Sequence, residues 1–236
     1  MNTIETALST ALFGQYTPDN KAVVVVDILR ATSVICTMFH NGAQRVIPVA
    51  SLDEARHYKE QGYTVVAERN GQKVDFADFG NSPRYFTPEV VNGQTLVYST
   101  TNGTQAIGMS GGAKQVLVGA FLNHDALCKH LLSLQTDVLI LCAGWKGKFC
   151  LEDTMFAGSL AKTLMASGQF DTTCDSTYGA IDIWNTAKPN IPAFLEHAAQ
   201  RHRLKKLGLD DVIEYCCTFD VTTKIPVLSG NALVAL

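Results

Sequence analysis

Charge of either sign is scarce in this 236-residue chain. Lysine and arginine total 19, aspartate and glutamate 22, for a formal net charge of −3. So slight a balance excludes the broad basic face that grips nucleic acid through its phosphates. The one dense basic run, Arg201-His202-Arg203-Leu204-Lys205-Lys206, reads as the solvated end of a helix. Long apolar runs are missing as well. The longest aliphatic stretch, 22–26, is far short of the ~20 residues that cross a bilayer, which argues against a membrane partner. The N-terminus, Met1-Asn2-Thr3-Ile4-Glu5-Thr6, lacks the positive region of a secretory signal. Seven cysteines (Cys36, Cys128, Cys142, Cys150, Cys174, Cys216 and Cys217) make an odd count with no C-x-x-C spacing. Reduced thiols and a cytoplasmic location are therefore expected. The six histidines show no metal-ligand spacing, which argues against zinc. Also absent are G-x-G-x-x-G, the Walker P-loop, G-x-S-x-G and H-E-x-x-H, so nothing marks a nucleotide, serine-hydrolase or zinc-protease site.

What is present is alternation. Short β-branched runs predict strands near 22–28, 45–49, 63–67, 95–99, 115–119 and 138–142, with weaker strand candidates at 212–216 and 227–228. Helical patterns fall near 2–12, 33–41, 51–61, 104–110, 122–133, 153–167 and 192–204. Asn41-Gly42 reads as a helix stop, and Ser51 with Asp53-Glu54 as a helix start. This rhythm predicts an α/β protein: a layered sandwich around a mainly parallel mixed sheet, with helices on both faces. One domain spans 1–236; a sub-division near 140 has no composition shift behind it. Residues 68–93 break the rhythm, and long irregular stretches in a compact fold often carry function.

Three times an apolar strand runs into a polar turn that opens a helix. Strand carboxyl ends are where α/β sheets bind ligands. The first turn is Asp27-Ile28-Leu29-Arg30-Ala31-Thr32-Ser33. Asp27 ends a valine run, and a buried carboxylate needs a partner or a metal. Arg30 offers a planar fork for an oxyanion, and Thr32 and Ser33 stand where the helix dipole is positive. The second, Thr100-Thr101-Asn102-Gly103-Thr104, concentrates hydroxyls, an amide and a glycine suited to an oxyanion. The third runs from Gly144-Trp145-Lys146-Gly147 to Glu152-Asp153, adjacent carboxylates suited to a hard cation. Glu68 adds an acid at another strand end, and Asn81 and Ser82 lie in a Gly-Asn-Ser-Pro turn. Each motif also has a plain structural reading. Asp27 and Arg30 pair, Thr100–Thr104 is a capped turn, and Glu152-Asp153 complements a helix dipole.

Taken in order, Asp27–Ser33, Glu68-Arg69-Asn70-Gly71, Asp78-Phe79-Gly80-Asn81-Ser82-Pro83, Thr100–Thr104 and Leu151-Glu152-Asp153-Thr154 resemble the 2-phosphosulfolactate phosphatases, the ComB family linked to coenzyme M biosynthesis. The resemblance spans roughly residues 20 to 228. It implies an α/β fold of its own type and a Mg²⁺-dependent hydrolase. The reaction implied releases phosphate from (R)-2-phospho-3-sulfolactate to give 3-sulfolactate. On that basis Mg²⁺ is expected among Asp27, Glu68, Glu152 and Asp153. Arg30, Thr32, Ser33 and Thr100–Thr104 would hold phosphoryl oxygens, and Asn81, Ser82 and Lys146 the far acidic end. The catalytic set is Asp27, Arg30 and Glu68. Two nucleophiles stay open: water, with Asp27 or Glu68 as base, or the Asp27 carboxylate itself. The expected partner is a small anionic phosphorylated substrate, and a homo-oligomer is compatible with it. The rival readings are a phosphatase for another small 2-phospho-hydroxyacid and a non-catalytic binder of small anions.

Overall fold

Eleven strands form one mixed sheet in a computed structural model that describes Met1–Leu236. In chain order they are β1 (Asn2–Ala7), β2 (Ala22–Val26), β3 (Arg45–Pro48), β4 (Thr64–Arg69), β5 (Gln72–Lys73), β6 (Thr95–Ser99), β7 (Gln115–Gly119), β8 (Val138–Cys142), β9 (Phe170–Asp171), β10 (Pro226–Ser229) and β11 (Ala232–Ala235). The helices are α1 (Ala31–His40), α2 (Leu52–Glu60), α3 (Pro88–Val91), α4 (Gly103–Met109), α5 (His124–Leu134), α6 (Leu151–Ala166), α7 (Asp175–Ala187), α8 (Ile191–Phe194), α9 (Ala199–Lys206) and α10 (Ile213–Cys216). The spatial order is β5-β4-β6-β3-β11-β10-β7-β2-β8-β1-β9.

Two parallel blocks lie within that order. β7, β2, β8, β1 and β9 run parallel to their neighbours, as do β4, β6 and β3. Between them sits the hairpin β10–β11, antiparallel to β7 on one side and to β3 on the other. Three successive reversals leave the two blocks opposed when followed through the ladder. Their carboxyl-terminal turns nevertheless meet: a Cβ on Gly103, after β6, would stand 3.0 Å from the Asp27 Oδ2 after β2. Twist reconciles the two facts. Five steps separate β2 from β6, and at about 20–25° per step the strands rotate by roughly 100–125°, far toward a common direction.

Burial follows from this arrangement. All five residues of β2 are buried, as expected for a central parallel strand covered on both faces. Helix α1 is buried from Ala31 to Phe39, enclosed by the curled sheet and α4. A core of 58 residues joins these layers. The helix stop after α1 holds, with Gly42 at φ +95°, and Ser51 caps α2 by accepting the Glu54 N–H. Gly158 packs α6 on α7, since a Cβ there would stand 1.9 Å from the Ala180 carbonyl oxygen.

Several expected elements are replaced. The helix expected at 2–12 is strand β1 followed by a 3₁₀ turn, Thr10–Gln15. Thr3, Ile4 and Thr6 are β-branched, and pairing with β8 and β9 decides for extension. The helix expected at 192–204 breaks at the extended Ala198 into α8, a 3₁₀ turn (Leu195–His197) and α9. Residues 212–216 are helical turns rather than a strand, while 227–228 fall in β10. Helix α7 and strand β11 were not foreseen. No helix is long and apolar enough to cross a membrane.

Candidate active site

The strand-to-helix turns converge on one narrow cavity with about 20 Å³ of free interior space. Asp27, Glu68, Glu152 and Asp153 line it, together with Arg30, Asn81, Asn102, Trp145, Cys150 and Gln200. All four predicted carboxylates therefore meet, although 125 residues separate Ile28 from Asp153.

Two of these acids are committed to backbone. Asp153 Oδ1 accepts the Ile28 N–H at 2.9 Å and Oδ2 the Gly144 N–H at 3.0 Å, which ties the first turn to the third. Glu68 accepts the Thr101 N–H at 2.7 Å and the Gly71 N–H at 2.6 Å, tying its own turn to the second. Asn102 closes the web by accepting the Lys146 N–H at 3.0 Å. Asp27 engages only Oδ1, with the Ala31 N–H at 3.2 Å, and Glu152 opens α6 at 2% exposure.

Electrostatics sharpen the division. Burial, then repulsion from Glu68 and Glu152, pushes the Asp27 carboxyl up to about 7, against hydrogen bonding from Ala31 and the charge of Arg30. Burial raises Glu152, with Arg203 opposing, and burial with the Glu152 and Asp27 charges raises Asp153. Closely packed, desolvated acids of this kind call for positive charge. One source is Arg30, 3% exposed, whose Nη1 is the one buried side-chain nitrogen or oxygen without a hydrogen-bond partner. A buried unmet guanidinium donor is costly, which marks a socket for an oxyanion. Burial also lowers the Arg30 pKa.

The remaining predicted residues divide. Asn81 lines the cavity and accepts the Tyr98 hydroxyl at 2.5 Å; Ser82 lies in an adjoining pocket that shares Arg30, Gly71 and Asn81. The Thr32 hydroxyl accepts the Asp27 N–H, and Ser33 donates to the Ile28 carbonyl. Thr100 and Thr104 hydrogen-bond each other across their turn, and the Thr101 hydroxyl accepts the Asn70 N–H. These hydroxyls shape the turns and do not line the cavity. Gly103 fits against Asp27 because it has no side chain: a Cβ would meet the Ala31 Cβ at 2.5 Å. Lys146 is exposed, its Nζ 5.6 Å from the Trp145 ring centre.

Sequence reasoning missed the α9 contribution. Gln200 donates to the Leu29 carbonyl at 2.8 Å and accepts from Arg203 Nε at 2.7 Å. Arg203 stacks on Trp145 at 4.3 Å. Within a basic run this arginine carried no distinguishing signal; only the break at Ala198 turns it inward. The cavity's oxygen donors suit a hard cation. No three acids, cysteines or histidines form a ready-made metal cage.

The chain matches the family model described as 2-phosphosulpholactate phosphatase over residues 9–231. It is 38% identical over 218 residues to a protein of Clostridium acetobutylicum, covering 91% of this chain and 92% of the relative. It is 35% identical over 214 residues to one of Thermotoga maritima, with 91% and 92% covered. A third relative, from Caldanaerobacter subterraneus, is 34% identical over 215 residues, with 89% of each covered. All three are named probable 2-phosphosulfolactate phosphatase. Family model and relatives agree, and the chain is an enzyme belonging to the 2-phosphosulfolactate phosphatase family.

Proposed function

We propose that the protein hydrolyses (R)-2-phospho-3-sulfolactate to 3-sulfolactate and phosphate, and that it requires Mg²⁺. The observation that carries this reading is the buried Arg30 Nη1, unpartnered beside four carboxylates. A socket of that polarity takes an anion only together with a cation. Mg²⁺ fits the donors, because it binds through one or two carboxylates and keeps its waters, so no full protein cage is needed. Asp27 and Glu152 would hold it. Glu68 and Asp153, whose oxygens already take backbone N–H groups, would fix the turns around it. When bound, the cation would neutralise phosphoryl charge and favour the ionised carboxylates.

Arg30 then orients the phosphoryl group through its free Nη1. Phosphoryl transfer depends mainly on such positioning and charge neutralisation. Asp27, in its ionised form, takes a proton from the attacking water through the oxygen that Ala31 leaves free. The water oxygen bonds to phosphorus, the ester P–O bond breaks, and Asp27 passes the proton on to the leaving alkoxide.

The test is phosphate release from (R)-2-phospho-3-sulfolactate with Mg²⁺, with a chelator, and with Asp27→Asn. Release with Mg²⁺ and none in the other two arms is expected. Release that survives chelation removes the metal, and no release under any condition leaves the rival anion-binding reading.

A further inference from the structure

Two guanidinium groups serve the cavity. Arg30 is in its lining. Arg203 stands just behind the lining, close enough for its charge to act on Glu152, and is held by two contacts that fix its direction. Its Nε donates to Gln200 Oε1 at 2.7 Å, and its plane lies 4.3 Å over Trp145. Gln200 and Trp145 both line the cavity, and Gln200 is anchored in turn on the Leu29 carbonyl beside Arg30. None of the molecule's ion pairs uses Arg203, so its two Nη groups keep their donors. The segment carrying it is seated against the opposite wall: a Cβ on Gly71 would stand 2.9 Å from Leu207 Cδ1.

A phosphomonoester alone needs one fork, and Arg30 supplies it. A second preset fork, held on two residues of the lining, matches a ligand with a second acidic group beyond its phosphate. We infer that Arg203 is a specificity residue that binds the non-reacting acid of the substrate, sulfonate or carboxylate, while Gln200 and Trp145 position it. This rests on the phosphatase reading above. The class of substrate follows: compact phosphomonoesters carrying a further anion are preferred over those with neutral or apolar ends. Stacking on Trp145 stiffens the guanidinium, so little freedom is lost when the acid is bound.

The test compares native protein with Arg203→Gln and Arg203→Lys on three esters: 2-phospho-3-sulfolactate, 2-phospholactate and phenyl phosphate. For Arg203→Gln, KM for phosphosulfolactate rises at least tenfold with kcat changed less than about twofold. The same variant lowers kcat/KM for phenyl phosphate by a clearly smaller factor than for phosphosulfolactate, the shared part being the loss of its charge near Glu152. Arg203→Lys recovers part of the lost affinity. A KM penalty shared by 2-phospholactate assigns the carboxylate; one absent there assigns the sulfonate. Equal losses on phosphosulfolactate and phenyl phosphate overturn the inference, because they show a merely structural role.

A binding readout stands apart from catalysis. The chain has two tryptophans, so Trp184→Phe leaves Trp145 as the only one. In that background 3-sulfolactate should change Trp145 emission saturably, and Arg203→Gln should weaken the apparent affinity at least tenfold. Unchanged affinity overturns the inference. If native protein releases phosphate from no ester, the phosphatase reading fails, and this titration still decides the role of Arg203.

Discussion

Asp153 binds the Ile28 backbone N–H at 2.9 Å through one oxygen and the Gly144 N–H at 3.0 Å through the other. Its neighbour Glu152 bonds no other turn, only its own, and lines the cavity at 2% exposure. Adjacent acids with one chemistry thus have separable tasks. Asp153→Asn replaces an acceptor with a donor opposite a buried N–H, which costs about 1–3 kcal/mol. Urea unfolding should show that loss. Glu152→Gln should leave the unfolding midpoint unchanged or higher, yet lower turnover on the order of 100-fold, as when a preorganised charged group is removed from a reacting site. Matching stability losses in both variants would sink the division.

Asp27 links stability to pH and to cation. Its folded-state carboxyl, raised from 3.8 to about 7 chiefly by burial, prefers to be neutral. A raised acid contributes stability that is present below its unfolded pKa and is lost as pH rises through the folded one. Metal-free protein should therefore lose stability between about pH 4 and pH 7, and Asp27→Asn should flatten that slope. Because a bound cation favours the ionised form, Mg²⁺ should raise Tm more at pH 8 than at pH 5. Thermal melts over that grid, with and without chelator, check both statements. An equal Mg²⁺ effect at the two pH values counts against Asp27 as a ligand.

Gly103 is the spacer between the second turn and the first. A methyl group there meets the Ala31 Cβ at 2.5 Å and the Asp27 Oδ2 at 3.0 Å. Overpacking of this kind costs typically ~1–3 kcal/mol. Gly103→Ala should lower Tm and displace Asp27, so kcat should fall further than the stability loss explains. Gly14→Ala is the control, with nothing within 4 Å of its would-be Cβ. Wild-type kcat in Gly103→Ala would show that the contact is not felt at the reacting centre.

Direct attack by water leaves no covalent trace on Asp27. Rapid quench during turnover, borohydride reduction and peptide mass analysis should find residue 27 unchanged. Homoserine at that position would reveal an acyl phosphate and make the carboxylate the nucleophile.

Much of the architecture was legible because strands such as Ala22–Val26 announce themselves by composition, and the helix stop at Asn41-Gly42 by turn chemistry. Order along the chain also grouped Asp27, Glu68, Glu152 and Asp153. Legibility ended where long-range contacts decide. Residues 2–7 become a strand only because β8 and β9 offer it partners. Thr32, Ser33 and Thr104 look like ligand hydroxyls in the sequence, yet each is engaged with neighbouring backbone. Division of labour between Glu152 and Asp153 depends on which oxygen meets which N–H. Arg203 looked like solvent-facing charge until the break at Ala198 and the ring of Trp145 gave it a direction.

The hairpin between the two parallel blocks has a consequence for the order of events in the cell. Every cavity residue, from Asp27 to Gln200, leaves the ribosome before β10 and β11 do. Until those strands arrive, β3 and β7 each present an open, apolar edge where a second nascent chain can add. Within the sheet only the hairpin joins the blocks. A chain cut before residue 226 would carry every cavity residue but nothing within the sheet to join the two blocks, and its β3 and β7 edges would stand open.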